Sequence, residues 1–504
     1  MQESTKLDQE YKNYLISLFD QKSELVDCDI NNSVDTSRSK SWYSTFQHHT
    51  ESNTLLISHW KSILPLLQTT IKSEQQEEKI YCSKNVLLFP TIDQKFILRS
   101  WFGAHRWVYN FCVSEYQKNK SFQKQYYRNL LKEKTESWLK DIPYEIKDQG
   151  ILDFIKALGS GKKEDRYKRH FKFKSKKDNS HSVQIGTRDI LGKKGTRKII
   201  CPFPSFWNKK ELKSCEPLKY LDGATRITYK RKLSRYYSSI SEEKSCENQT
   251  DLSKGIVALD PGIRIFQTSY NTNGTVNMYG YEARKELNKL HYKIDNIKSK
   301  SDILSAKLKS QNTKMKSSIK YKIQKGMKLR VSELIVYFDK FTPSRISKKK
   351  LYKKIQNLKR KEFWLNKRVK DLVKEMHYSV ISDLIKNNSV ILLPEFGTQK
   401  MLKNLPSERC RELNTFSHYS FKEKLKHHCK LKGVKLFIIN EAYSTVTCFK
   451  CDFRNKKVNG TLFKCRNCKH TDHRDINPCK NMLKWYLPRL STPGASKAVL
   501  SVNF

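Results

Sequence analysis

The 504 residues exceed one core of ordinary size and argue for roughly three domains or more, while 37% hydrophobic and 11% aromatic content argues against a wholly disordered chain. No apolar run approaches the roughly 18 to 20 residues of a membrane span, and the first thirty residues carry seven acidic groups and no apolar signal core; a soluble, intracellular protein with no membrane partner is expected. Lys and Arg number 99 against 50 Asp and Glu, and a net charge of +49 repels itself unless a polyanion neutralises it. A long polyphosphate is the natural partner, because each neutralised phosphate also releases a condensed counterion.

Along the chain, residues 1–79 form a polar extension with 8 basic and 12 acidic side chains, a Ser-rich stretch at Ser33–Ser44 and a short helix expected around Leu55–Lys72. The remaining residues hold 91 basic and 38 acidic groups. Lys84–Pro90 reads as a strand stopped by proline. Thr91 and Asp93 then open a helix whose apolar residues Phe96, Ile97, Trp101, Phe102, Trp107, Val108 and Phe111 fall near a 3.6 period. Charged helical sequence continues to about Lys156, and Arg169–Ser241 changes to short strands and turns such as Lys198–Cys201 and Ala224–Lys230. Gly255–Asp260 is a buried-strand run ending in a carboxylate. Pro261-Gly262 turns it, and Ile265–Tyr270, Asn273-Gly274 and Thr275–Tyr279 then read as a hairpin. Residues 284–386 are Lys-rich and helical around a break at Phe341–Ser344. Two further buried strands follow, Ser389–Glu395 and Val434–Glu441, separated by an amphipathic helix at Phe416–Leu431, and a last helix starts at Pro478. Strand, hairpin, helices, strand, helix, strand, helix is the order of an RNase H-like nuclease core, although many α/β folds share pieces of it.

Two constellations carry chemistry. Nine of the thirteen cysteines are scattered, and four form Cys448-x2-Cys451 and Cys465-x2-Cys468 with 13 residues between the pairs. Two knuckles joined by a short hairpin supply the closed four-thiolate shell of a structural Zn²⁺, which leaves His470 and His473 as bystanders and gives zinc no open position for catalysis. The second constellation is acidic: Asp260 ends the first core strand, and Asp475 precedes the last helix. A lone Asp at a strand end is usually a turn or cap residue. With a glutamate from another strand, however, such a pair can hold two Mg²⁺ ions about 4 Å apart for phosphodiester hydrolysis.

Four segments in joint order, Asn85–Asn110, Gly255–Phe266, Ile391–Met401 and His473–Leu483 with the cysteine quartet before it, resemble the TnpB proteins and their eukaryotic relatives, the Fanzor proteins. The resemblance spans roughly residues 80–490. It implies an α/β multidomain protein with an RNase H-like (RuvC-like) nuclease core, an inserted zinc ribbon, a small β-barrel-like wedge domain and a helical recognition domain. The implied layout is an extension at 1–79, wedge at 80–97 and 166–250, recognition domain at 98–165 and nuclease core at 251–445 with a helical insertion at about 284–386. The ribbon at 446–470, the end of the core at 471–490 and a tail at 491–504 complete it. The implied activity is guide-RNA-directed, Mg²⁺-dependent cutting of double-stranded DNA by a monomeric protein in a ribonucleoprotein.

The sequence departs from the TnpB pattern where the catalytic glutamate is expected. Counted from Met401 that position is Pro394, and the adjacent Glu395 points to the opposite face of the strand. Fanzor proteins resemble the alternative, a glutamate relocated to just before the ribbon, here Glu441. The expected triad is Asp260, Glu441 and Asp475, with Glu395 in reserve. Pro478-Cys479 stands where the family usually has two alanines. Arg264 and Arg474 are candidates for phosphate contact or for salt bridges, and Arg106, Tyr109 and Asn110 for contact with RNA or duplex DNA. Trp101 and Trp107 read as core at their helical spacing. Two alternatives stay open: a relative that binds guide RNA and DNA but has lost cleavage, with Pro394 as the lesion, and an RNA-independent transposase or resolvase. The nucleus is the expected location for a eukaryotic relative, the cytoplasm otherwise, with Lys172–Lys177 and Lys230–Lys232 as candidate import signals.

Overall fold

The computed structural model describes residues 46–49 and 80–490, apart from 122, 135, 160–170, 191–199, 208–209, 218–222, 246–253, 325–344, 404 and 459. The helix expected at Leu55–Lys72, the stretch Ser33–Ser44 and the break at Phe341–Ser344 lie outside these residues. The chain divides into two compact units, Glu77–Cys246 and the remainder. No helix among the described residues is long and apolar enough to cross a membrane. Among the described residues the strand nearest the N terminus, β1 (Phe46–His49), belongs to the second unit.

The Glu77–Cys246 unit is an antiparallel four-stranded sheet interrupted by helices. β2 (Ile80–Leu88) runs into α1 (Ile92–Asn119), whose start is fixed by a reciprocal capping box: Thr91 Oγ1 accepts from the Gln94 amide, and Gln94 Oε1 accepts from the Thr91 amide. The charged helical stretch that follows consists of α2 (Lys124–Glu133), a 3-10 turn and α3 (Tyr144–Gly159). β3 (Ser180–Ile185), β4 (Thr225–Lys230) and β5 (Arg235–Lys244) complete the sheet in the order β2-β5-β4-β3. Because β2 pairs with β5, the helices between them are an insertion into the sheet. Trp101 is buried in the core, as its spacing predicts, and Trp107 packs partly buried beside it. Phe96 departs from the expected apolar face: it is 75% exposed, because two residues of helix turn it about 200° from the buried Gln94 and Leu98.

The second unit is an α/β layer structure. β6 (Ile256–Pro261), β7 (Gln267–Asn271) and β8 (Thr275–Tyr279) form an antiparallel meander, and Asn273-Gly274 makes the tight turn between the last two, with Gly274 at φ +85°. The long helices α4 (Ala283–Gln324) and α5 (Arg345–Asn387) follow, then β9 (Val390–Pro394), α6 (Thr398–Leu402), α7 (Ser407–Phe416) and α8 (His418–Lys432). β10 (Lys435–Ile439), the ribbon strands β11 (Leu462–Lys464) and β12 (Thr471–His473), and α9 (Asn477–Leu490) complete the unit. The helix expected at Phe416–Leu431 is α8, and Ser417, a non-glycine residue at φ +51°, separates it from the preceding α7.

The sheet order is β1-β8-β7-β6-β9-β10, with β6, β9 and β10 parallel. Two-residue alternation divides its side chains. Ile256, Ala258, Val390, Leu392 and Ile439 face α9, while Val257, Leu259, Ile391 and Leu393 face α5 and α8. β1 extends the sheet antiparallel to β8, so part of the polar extension is a strand of this unit.

The turn after β6 has no room for a side chain: a Cβ on Gly262 would stand 2.7 Å from the Ile265 carbonyl oxygen. Gly262→Ala is therefore expected to destabilise this unit by about 1–3 kcal/mol, read as a lowered denaturation midpoint; an unchanged midpoint would show that the turn can relax.

Candidate active site and metal sites

Asp260 is the fifth residue of β6 and in phase with Ile256 and Ala258, so it lies on the α9 face. Glu441 lies two residues beyond β10, in phase with Phe437 and Ile439, which pack into the same core. Asp475 directly precedes α9, the helix packed across this face. Three carboxylates remote in sequence thus converge. Burial, then the charges of Asp475 and Glu441, push Asp260 well above the usual carboxylate range, and Arg474 opposes the shift. Burial alone pushes Glu441 up to about 7. Arg264 Nη2 lies 3.9 Å from Asp475 Oδ1, and the Arg474 guanidinium donates to the Gly460 carbonyl at 3.2 Å.

Glu395 is not part of this cluster. It is exposed, its amide donates to the Ile439 carbonyl at 2.9 Å, and it is absent from the charges that raise Asp260. Pro394 holds the phase of Val390 and Leu392 instead. The fully buried Cys479 donates to the Thr268 carbonyl at 3.4 Å; burial, then nearby Asp260, keeps its thiol protonated. A small neutral side chain is what the crossing of α9 over β7 accommodates there.

The cysteine quartet closes as its spacing predicts. The four sulfurs lie within 4.8 Å of one another, with Cys448–Cys468 at 3.7 Å and Cys451–Cys465 at 3.6 Å. Those separations are far beyond a disulfide's roughly 2.05 Å, and they match the edge of about 3.8 Å that Zn–S bonds of about 2.3 Å give a tetrahedron. Both knuckles are built alike: the Cys448 and Cys465 amides donate to the carbonyls five residues on, at Phe453 and His470, with Asp452 and Lys469 at positive φ between. The donor set therefore fits zinc. His470 and His473 stand outside the sulfur cluster; His473 Nδ1 accepts from the Asp475 amide at 3.2 Å.

Two asparagines that sequence reading passed over join these sites. Asn477 and Asn481, four apart on α9 and fully buried, both donate to the carbonyls of Ser444 and Thr447, with three of the four contacts between 2.7 and 2.8 Å. Asn477 Oδ1 also accepts from the Phe449 amide. They clamp the segment between Glu441 and Cys448 to the helix that follows Asp475. Their i,i+4 spacing in an apolar helix was the available signal.

In the Glu77–Cys246 unit, Asn110 is committed to backbone: its side chain accepts from the Lys174 amide at 2.7 Å and donates to the Lys174 carbonyl at 2.9 Å. Tyr109 is buried beneath the Lys174 ammonium, 4.0 Å from the ring centroid, and Arg106 is half-buried near His181.

With this geometry in view, two family models match parts of the chain: the Cas12f1-like TNB domain over residues 418–482 and a helix-turn-helix domain over residues 83–121. The first covers α8 through the quartet to Asp475 and α9. The second falls here on the end of β2 and the single continuous helix α1. Two TnpB-like proteins of Acanthamoeba polyphaga mimivirus are 25% identical over 447 residues (80% of this chain, 74% of the relative) and 23% identical over 496 residues (88% and 84%). A solved structure of the mini-RNA-guided endonuclease CRISPR-Cas phi3 aligns with 88% of this chain and 97% of its own at 12% identity and a TM-score of 0.41.

The quartet predicts one zinc per chain by elemental analysis of purified protein, falling to near zero in Cys465→Ser; a full zinc content in that variant would remove the four-sulfur site. Glu441 predicts a pH effect. Its folded pKa of about 7 lies above the unfolded value, so the folded state binds the extra proton. Stability without divalent cations should be highest below about pH 4.5 as far as this group is concerned, and fall through pH 7 by on the order of 2–3 kcal/mol. Glu441→Gln should flatten that part of a melting-temperature profile.

Proposed function

We propose that this chain, which belongs to the TnpB-like family, is a guide-RNA-directed DNA endonuclease of the Fanzor type that hydrolyses phosphodiester bonds in an RNase H-like (RuvC-like) site. The observation that carries the reading is the convergence of Asp260, Glu441 and Asp475, from three remote segments, on one sheet face beside Arg264 and Arg474. A strand order of β8-β7-β6-β9-β10 with the first acid on the central strand supports the RNase H-like assignment. Two Mg²⁺ ions bound there would supply Lewis-acid activation of water and stabilisation of the leaving oxygen. The residues fit such ions: they offer hard oxygen donors, and the raised Asp260 and Glu441 are carboxylates that a cation would relieve of their repulsion.

The chain's own contributions follow from geometry. Asp260, Glu441 and Asp475 form the ligand set; Glu441 takes the place that Pro394 forfeits. Arg264 and Arg474 hold a neighbouring phosphate of the strand being cut. The zinc ribbon stiffens the approach to Glu441 through the asparagine clamp. The sheet β2–β5 is the wedge and helices α1–α3 the recognition domain, whose basic surfaces bind guide RNA. The net +53 over residues 80–504 suits a guide–target duplex held by its phosphates, with sequence read by base pairing. Nuclear location follows if the host is eukaryotic.

Purified protein should carry a defined, stoichiometric RNA and should cut complementary double-stranded DNA only with that RNA and Mg²⁺. Asp260→Ala and Asp475→Ala should abolish cutting with RNA retention unchanged. Glu441→Gln should lower the rate by more than about 100-fold, since loss of even an outer-shell partner costs about 10- to 100-fold, whereas Glu395→Gln should cut normally. Full-rate cutting by either Asp variant would eliminate the site. Cutting without RNA would favour a transposase-like enzyme, and an inert unmutated protein that still binds RNA and DNA would favour the degenerate relative.

A further inference from the structure

The loop that carries Glu441 contains a residue in a conformation its type avoids. Tyr443 has φ +66°, in the left-handed region that bulky side chains seldom adopt. Three hydrogen bonds to its carbonyl, from the Val446 amide, the Thr447 amide and Thr447 Oγ1, hold the turn. A glycine or asparagine would meet that backbone demand at less cost, so the turn explains the conformation but not the ring. The residue is 58% exposed, and its ring is not loose: the Arg454 guanidinium lies 3.7 Å from its centroid. Arg454 is itself fixed by a β-bridge to Thr447. Single exposed aromatics are ordinary on protein surfaces. A strained one, capped on one side by an arginine and two residues from a member of the acid cluster, is a different feature, since strain of this kind collects where a side chain must be presented.

We propose that Tyr443, backed by Arg454, is a stacking platform for an unpaired nucleobase of the DNA strand entering the acid cluster. The ligand class follows from the chemistry. A flat, partly desolvated π-face beside a cation accepts any base regardless of sequence, and the guanidinium adds attraction for the phosphate that links that base to the next. Consecutive Cα atoms are about 3.8 Å apart, so Tyr443 lies within about 7.6 Å of Glu441 along the backbone. A base held there would fix the register of a phosphate one or two nucleotides from the carboxylates. This rests on the reading of the acid cluster as a DNA-cutting site, and it adds a residue that positions the strand without touching the reacting atoms.

The test uses the full chain with its co-purified RNA, in an Asp260→Ala background so that the probe survives. Single-stranded DNA carrying 2-aminopurine at successive positions is titrated against it. Stacking predicts quenching at one preferred position, lost in Tyr443→Ala together with roughly tenfold or more of affinity, and preserved in Tyr443→Trp. An abasic nucleotide at that position should erase the difference between the parent and Tyr443→Ala. Tyr443→Asn, which tolerates the left-handed turn, should match the alanine variant, and it serves in its place if the latter does not fold. Equal affinity and quenching in parent and Tyr443→Ala or Tyr443→Asn, or a Tyr443→Trp protein as weak as either, would overturn the platform. With Asp260 intact, cutting that is unimpaired by Tyr443→Ala removes the platform alone. Tyr443-dependent quenching in a protein that never cuts removes the endonuclease reading and leaves the platform standing.

Discussion

Like charges brought together out of water are the constraint around which the second unit is organised. Asp260 is raised by its burial and by the nearness of Asp475 and Glu441, a cluster that costs stability whenever it is ionised and uncompensated. A fold keeps such an arrangement only if the surrounding packing outweighs the repulsion. Here the sheet face and α9 enclose it with a continuous apolar layer, from Ile256 and Ala258 to Met482 and Leu483. The arginines on its edge reduce the repulsion without closing the site. What remains is a set of oxygen donors held close together, with Asp260 raised by its burial and its neighbours.

The ribbon and the acid cluster are mechanically one object. Asn477 and Asn481 spend their amides on the carbonyls of Ser444 and Thr447, while Cys448 begins the first knuckle immediately after. Buried amides are costly unless paired, so this clamp either forms with its registry intact or does not form. Glu441 is tied at one end to β10 and, through Ser444, at the other to α9. A glutamate beyond its strand's end can therefore hold a defined position without being part of the sheet, and Tyr443 shares that support.

Strand phase separates the acids that share a face from those that do not. β6, β9 and β10 run parallel, and positions of equal phase on all three look toward α9. Pro394 occupies the phase from which a glutamate on β9 would reach Asp260, and a neighbour one residue later looks the other way. On β10 the residue paired with Pro394 is Ile439, and Glu441 follows two residues later, beyond the end of the strand.

Much of this was legible in one dimension. The cysteine spacing fixed the tetrad because two residues between paired thiols is a local geometric requirement. The buried runs at 256–260, 390–394 and 435–439, and the Asn273-Gly274 turn, marked the strands by short-range chemistry. The parity of adjacent residues on a strand already separated Glu395 from Glu441. The pairing of β1 with β8 was not legible, because it depends on what the strand packs against rather than on its own residues. The same holds for the committed amide of Asn110, the asparagine clamp and the strained ring of Tyr443. Sequence determined which residues can ligate, turn or alternate, since those are properties of a few neighbouring positions. Tertiary structure alone decided which of them meet, because distances between segments two hundred residues apart are set by packing of the whole sheet and helix layer.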